Sequence, residues 1–297
     1  MVLVRGCRVT AQLNVPVNLD LSILKYNLQR ILGEPLQVPP NYVVFDLETT
    51  ALTPEEGKIW QIGVHMHLNG KDWDAAPHGL SMLVRTEEKD LLANRFEIER
   101  LAHVRMESND ETLEQAIASA EQQYLRRFSS KTPPVERMVA LKEAARLLES
   151  CMKKGYPIVG HNLASFDIPF FEHECAEAGI LFKFPDANVI DTGMFIKSAQ
   201  TRRRVLDTEY YRPRAFYQSV RDERRKGAIY ALERFCLYYW RLDRKYGVNM
   251  AHAHDAGYDC WVTSLVLQEL VNTAMGGINY VHGPGSLPRG SADAATD

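Results

Sequence analysis

Three short stretches of this chain carry side chains whose types and spacing could do chemistry together. The first is YVVFDLETT, residues 42–50. Its β-branched and aromatic content reads as a buried strand, and side chains alternate faces along a strand, so Asp46 and Glu48 project together while Phe45 and Leu47 point the other way. Two anions side by side on an apolar strand raise each other's pKa and bear a desolvation cost, and a hard divalent cation removes that conflict. A D-x-E pair also occurs as a plain cap or a solvated strand end, so the pair alone does not decide. The second stretch, YPIVGHNLASFDIPFF, reads as a short apolar strand, a polar His161-Asn162 turn, and a helix opened by Asp167 with Pro169 in its first turn. An acid there also suits the helix dipole, the plain reading of Asp167. Its place after a strand able to lie beside the Asp46 strand makes it a candidate third ligand. In the third stretch, AHAHDAGYDC, His254 stands five residues before Asp259 at the start of a helix. Asp259 shares a helix face with Val262 and Val266 and so points at the core, which is costly unless it is paired or metal-bound. A capping or surface role is the alternative for His254 and the reading adopted for His252.

The elements that must position these groups can be traced from periodicity. The Asp46 strand is followed by QIGVHMHL and LSMLVR as further strands, an antiparallel meander of three. Helical spacing then runs over Asp110–Phe128 and Val135–Met152, broken by Thr132-Pro133-Pro134. A strand at Ile158–Val159, a helix from Asp167, a strand at Val189–Ile190 and helices near Ala228–Tyr246 and Asp255–Val271 complete the alternation. Strands first and alternation afterwards predict an α/β fold with a mixed sheet flanked by helices. Residues 1–40 read as an N-terminal extension, with short alternating stretches around Leu3 and Val9–Leu13 and a helix over Leu21–Leu32 ended by Gly33 and the Pro39-Pro40 pair. Residues 41–274 form the domain, with a helical region at 110–152 and an insertion at 201–226. The Gly/Pro/Ser-rich end, 275–297, is expected to be a disordered tail.

A chain of 297 residues can bury a sizeable core, and its 45% apolar and 25% charged content is that of an ordinary globular protein. No apolar run approaches the roughly 20 residues that span a bilayer, which predicts no membrane partner. The N-terminus lacks an apolar stretch with a cleavage site, and the five cysteines are odd in number and never spaced C-x-x-C. A reduced, intracellular, cytoplasmic protein is expected.

Taken together the three stretches resemble the DEDDh branch of proofreading-type 3′→5′ exonucleases, which share a ribonuclease-H-like fold. FDLETT matches the first motif, HNLASFD the second, and His254-Asp255-Ala256-Gly257-Tyr258-Asp259 the third, H-x-A-x-x-D. The related tyrosine branch carries Tyr four residues before the last Asp, where this chain has Asp255. The resemblance covers about Asn41 to Thr273. Ala51 departs from it, since the family often has Gly after E-T-T. The resemblance implies antiparallel first strands followed by parallel ones. It implies that Asp46, Glu48, Asp167 and Asp259 hold two divalent cations, Mg²⁺ or Mn²⁺, with Asp46 bridging. It further implies that His254 takes the proton of the attacking water, for which an imidazole of ordinary pKa about 6.5 is suited. Leu47, Thr49, Thr50, Leu52, Asn162 and Phe166 match substrate-contact positions, Phe166 being as well suited to the core. The implied activity is release of nucleoside 5′-monophosphates from a free 3′ end of single-stranded DNA or RNA.

The net charge of −3 would argue against a polyanionic partner, but its distribution is uneven. Residues 201–226 interleave arginines with Tyr210, Tyr211, Phe216 and Tyr217, the composition of a single-strand binding surface, with Arg202, Arg203 and Arg204 as candidate phosphate contacts. The alternative is a solvated face on which Asp207, Glu209, Asp222 and Glu223 pair locally. Two other functions stay open: a non-catalytic nucleic-acid-binding subunit that docks on a polymerase, and an oligoribonuclease-like hydrolase of short RNA or a dinucleotide. Residues 1–40 and 110–152 leave room for a homodimer contact or for docking on a replication or repair partner, or serve only to enlarge the core, the commoner use of such segments. Nothing in the sequence reads the sugar.

Overall fold

The computed structural model describes residues 19–69, 79–108, 111–126, 133–185, 188–210, 213–220, 232, 235–249 and 252–276. Five strands form one sheet: β1 (Tyr42–Thr49), β2 (Ile59–His67), β3 (Gly79–Leu83), β4 (Ile158–Gly160) and β5 (Val189–Asp191), in the order β3-β2-β1-β4-β5. β1, β2 and β3 form an antiparallel meander, while β4 lies parallel to β1 and β5 parallel to β4. The fold is the mixed α/β sheet flanked by helices that the order of elements predicts. The ladder between β1 and β2 shifts between Glu48 and Thr49, a local irregularity of the kind that re-aims side chains beside functional sites.

Alternation along β1 gives each face of the sheet its own core. Val43, Phe45 and Leu47 pack with α5 (Arg137–Lys153) and α6 (Asp167–Glu177) through Leu141, Leu148, Phe170 and Phe171. On the other face Tyr42 and Val44 meet α1 (Leu21–Leu32), α7 (Thr192–Thr201) and the long α11 (Ala256–Ala274) through Leu24, Leu28, Phe195, Val262 and Val266. Asp46 and Glu48 belong to this second face, the one covered by α11. A small third cluster joins Trp60 of β2 to α2 (Glu88–Leu91), α3 (Arg95–Ser108) and α4 (Leu113–Arg126) through Leu91, Ile98, Ala116 and Tyr124.

The helix at Leu21–Leu32 has the bounds that its spacing predicts, with Asp20 as N-cap accepting from the amides of Ser22 and Ile23. Its buried Asn27 donates to Ser198 Oγ and accepts from the amide of Val205 and the hydroxyl of Tyr210. Several helices, α3 and α7 the longest among them, have no counterpart in the sequence reading. α3 is largely polar, and α7 is buried on almost every side, so neither shows an apolar stripe.

Where one helix was expected over Ala228–Tyr246, the described part differs. A π-helical turn, Phe235–Tyr239, is followed by Arg241 in the left-handed region and a short α10 (Leu242–Lys245). The break lets Trp240 turn into the core, where its indole donates to Thr273 of α11. Between α7 and that turn lie α8 (Asp207–Tyr210) and α9 (Pro213–Val220). The stretches around Leu3 and Val9–Leu13, Tyr211, residues 221–226, the start of the expected helix at Ala228 and the tail beyond 276 lie outside the described residues. No described helix is long and apolar enough to cross a membrane.

Candidate active site

The three stretches meet at the end of β1. α11 approaches the sheet so closely that a β-carbon on Gly63, the register partner of Asp46 on β2, would lie 2.4 Å from the carbonyl oxygen of Ala256. Glycine there lets the first turn of α11 sit over Asp46 and brings Asp259 to it. From the other side, α6 begins where β1 ends: Asp167, 2% exposed, accepts from the amide of Leu47 at 2.9 Å. The second-motif turn is tight, with Asn162 in the left-handed region and its carbonyl accepting from the amides of Ser165 and Phe166 at 3.0 Å each.

His254 is also left-handed, with φ of 67°. Its amide donates to Asp259 Oδ2 at 2.9 Å, and its Nδ1 lies 3.8 Å from Glu48 Oε1. Glu48, His254 and Asp259 each present one ligand atom within 4.8 Å of the others. Burial, and then the neighbouring carboxylates of Asp167, Asp259 and Glu48, push the carboxyl of Asp46 well above the ordinary carboxylate range. Burial does the same to Asp167, against the pull of the Leu47 amide. Such a donor set, four carboxylates and an imidazole gathered in one acidic place, fits a hard divalent cation, which lowers the energy of the ionised acids.

A cleft of about 690 Å³ opens over this cluster. Asp46, Leu47, Glu48, Thr49, Thr50, Leu52, Asn162, Phe166, Asp167, His254 and Asp259 all line it. Leu52 is 71% exposed, an apolar side chain held out at the rim. Phe166 is half-buried and its ring also lies 4.9 Å from that of Phe170, so it serves both the cleft and the core.

The Arg202-Arg203-Arg204 run, expected at the cleft, does not line it. Arg203 instead compensates the buried carboxylate of Glu209 at 2.6 Å and lies over the Phe216 ring. Arg204 sits 4.4 Å over the ring of Tyr26 on α1, and Arg202 reaches Asp20 at 4.0 Å. Local pairing with Glu209, the alternative weighed for this stretch, holds for Arg203.

Other lining residues were not among the expected site residues. Trp60, Asn94 and Tyr124 form a wall on the α3–α4 side, where Asn94 Nδ2 donates to the carbonyl of Thr49 at 3.2 Å and to the hydroxyl oxygen of Tyr124 at 3.1 Å. His161 Nδ1 lies 2.9 Å from Thr192 Oγ1, which itself donates to the Gly160 carbonyl. Tyr217 of α9 lines the cleft as well. The aromatic content of the 201–226 stretch was a signal for Tyr217; nothing in the sequence marks Asn94 or Tyr124.

No protein-family model matches the chain, and no curated protein matches it. Among solved structures it is similar to E. coli Exonuclease I in complex with a dA16 oligonucleotide, at 12% identity over 80% of this chain and 42% of that one, TM-score 0.42. It is similar also to the zinc-bound form of the E. coli ExoI–ssDNA complex, at 13% identity, 80% and 42% coverage, TM-score 0.43. The complex of E. coli Exonuclease I with a dT13 oligonucleotide gives 12% identity, the same coverage and TM-score 0.43. The chain thus spans less than half the length of those proteins.

Proposed function

We propose that this chain is a metal-dependent 3′→5′ exonuclease that acts on single-stranded nucleic acid. The observation that carries the reading is the meeting of Asp46, Glu48, Asp167, Asp259 and His254, from three separate segments, in one cleft. Such a gathering of four buried or half-buried carboxylates is unfavourable unless a cation belongs there. Asp46, Glu48, Asp167 and Asp259 would hold divalent cations, Mg²⁺ or Mn²⁺. When bound, these supply Lewis-acid stabilisation of charge on phosphoryl oxygens and a more acidic water.

The chain's own groups do the rest. His254, locked to Asp259 through its amide, accepts the proton of the attacking water. Leu47, Thr49 and Thr50 edge the terminal nucleotide, Leu52 meets its base at the rim, and Asn162 and Phe166 hold it from the second-motif turn. The 3′ polarity and the mononucleotide product rest on the resemblance of the three motifs.

The test is hydrolysis of 5′-labelled single-stranded DNA, double-stranded DNA and single-stranded RNA in Mg²⁺. A ladder shortening from the 3′ end, with nucleoside 5′-monophosphate released, is the expected result. Internal cuts alone, or binding with no cleavage of any of the three, would overturn the reading.

A further inference from the structure

Helix α9 is fastened on several sides. Phe216 is buried in the core, Arg214 pairs with Glu172 of α6 at 2.9 Å, and Ser219 Oγ donates to Glu209. Next to Phe216 on this fixed helix, Tyr217 turns to the cleft. Its hydroxyl lies 2.9 Å from Asp191 Oδ1 and 3.3 Å from Asn162 Oδ1, and Lys197 Nζ is 5.4 Å over its ring.

Asp191 is fully buried and gathers the turn: its Oδ1 accepts from the amides of Asn162 at 3.0 Å and Met194 at 3.1 Å, and its Oδ2 from the amide of Ala164 at 2.9 Å. The Asn162 side chain fills space that only glycine at 193 leaves, since a β-carbon there would come within 2.4 Å of its Oδ1. A buried carboxylate is placed by all its donors together, and removing the one side-chain donor weakens the network that fixes the turn.

We propose that Tyr217 is a positioning residue for the candidate site, whose hydroxyl donates to the Asp191 carboxylate, with the Asn162 side chain as a longer second contact, and so sets the second-motif turn against the substrate. The inference rests on the exonuclease reading above. Among the described residues of the 201–226 stretch, Tyr217 then acts on the cleft through its phenol. Asp167 is held separately, by the Leu47 amide, so Tyr217 governs the fit of the nucleic acid rather than the holding of cations.

Tyr217→Phe tests this, because it removes the hydroxyl and keeps the ring beneath Lys197. Expected are a native circular dichroism spectrum, Mn²⁺ affinity by calorimetry within about twofold of wild type, and kcat changed by less than about threefold. KM for a single-stranded oligonucleotide rises about tenfold, the usual size for one hydrogen bond to a charged acceptor. Oligonucleotide affinity in Ca²⁺, read by fluorescence anisotropy, falls in parallel. Asn162→Ala causes a similar loss, and the double variant loses little more than either single one, because the two side chains act as one unit. Ser219→Ala, which loosens α9 away from the cleft, leaves KM unchanged.

A wild-type KM in Tyr217→Phe, full additivity with Asn162→Ala, or an equal KM rise in Ser219→Ala would overturn the inference while the exonuclease reading stands. A wild-type chain that neither binds Mn²⁺ nor shortens the oligonucleotide overturns both.

Discussion

The backbone amide of His254 donates to Oδ2 of Asp259 at 2.9 Å, across the turn that opens α11. The residue assigned to move a proton and a residue assigned to hold a cation are therefore placed by one hydrogen bond that does not involve the imidazole. His254→Ala keeps that bond and removes only the ring. Its kcat is expected to fall by about 10² to 10⁴, the range for loss of a general base, with Mn²⁺ affinity by calorimetry and oligonucleotide affinity within a few-fold of wild type. A variant with full activity would show that another group takes the proton.

Asp46, Asp167 and Asp191 all have raised carboxyl pKa values, burial being the first cause in each. A raised value in the folded state means that the folded chain binds more protons than the unfolded chain between about 4, the ordinary carboxylate value, and the raised one. Stability from the protonated form is full below that ordinary value and is lost as pH rises through the raised one. Metal-free protein in EDTA is thus expected to melt at a falling temperature as pH rises above the ordinary carboxylate range. A cation that binds only the folded state opposes this, by about 2.7 kcal/mol at a hundredfold excess over its Kd. Melting curves with and without Mg²⁺ across this range check both signs; a melting temperature indifferent to pH and to Mg²⁺ would contradict them.

The arginine run is expected to matter for stability before binding. Glu209 has a side chain only 4% exposed, and Arg203→Ala leaves it without its cation, at a cost of about 3 kcal/mol in urea unfolding. Arg202 is 70% exposed, and Arg202→Ala should change stability by less than about 0.5 kcal/mol. Oligonucleotide affinity at low and high salt is expected to be unchanged in Arg202→Ala and Arg204→Ala. A weaker affinity with a shallower salt dependence would return these side chains to the binding surface.

Asn94 ties the α3–α4 wall to β1. Its Oδ1 accepts from the amide of Glu97 in the first turn of α3, and its Nδ2 reaches both Thr49 and Tyr124. Asn94→Ala removes a cap and two further hydrogen bonds, together about 2 kcal/mol by urea unfolding. The wall should loosen at the Thr49 end of the cleft, read as faster amide hydrogen exchange over 95–126 with exchange in α11 unchanged. Uniform loss of protection over the whole chain would show instead that Asn94 supports the global fold.

How much of this was legible in the sequence follows from the range of the interactions. Asp46 and Glu48 share a face because a strand has period two, and His254 and Asp259 meet because five residues span the start of a helix; both are local facts. The bounds of Leu21–Leu32 were legible through its apolar stripe and its break at Gly33. The contacts that complete the cleft are not local. Asn94 reaches Thr49 from 45 positions away, and Tyr217 reaches Asp191 from 26. α7 hides because a helix buried on nearly all sides has no periodicity to read. The arginine run misled because composition cannot tell an exposed guanidinium from one that answers a buried Glu209.

The central claim is that the carboxylate cluster works with divalent cations on the 3′ end of a strand. The most direct measurement is a time course on 5′-labelled single-stranded DNA with wild type and Asp46→Asn, each in Mg²⁺, in Mn²⁺ and in EDTA. Wild type is expected to give a ladder shortening from the 3′ end in either metal and none in EDTA, and Asp46→Asn to give none in any buffer while still binding the strand. A wild-type ladder that persists in EDTA, or an Asp46→Asn ladder as fast as that of wild type, would contradict the account.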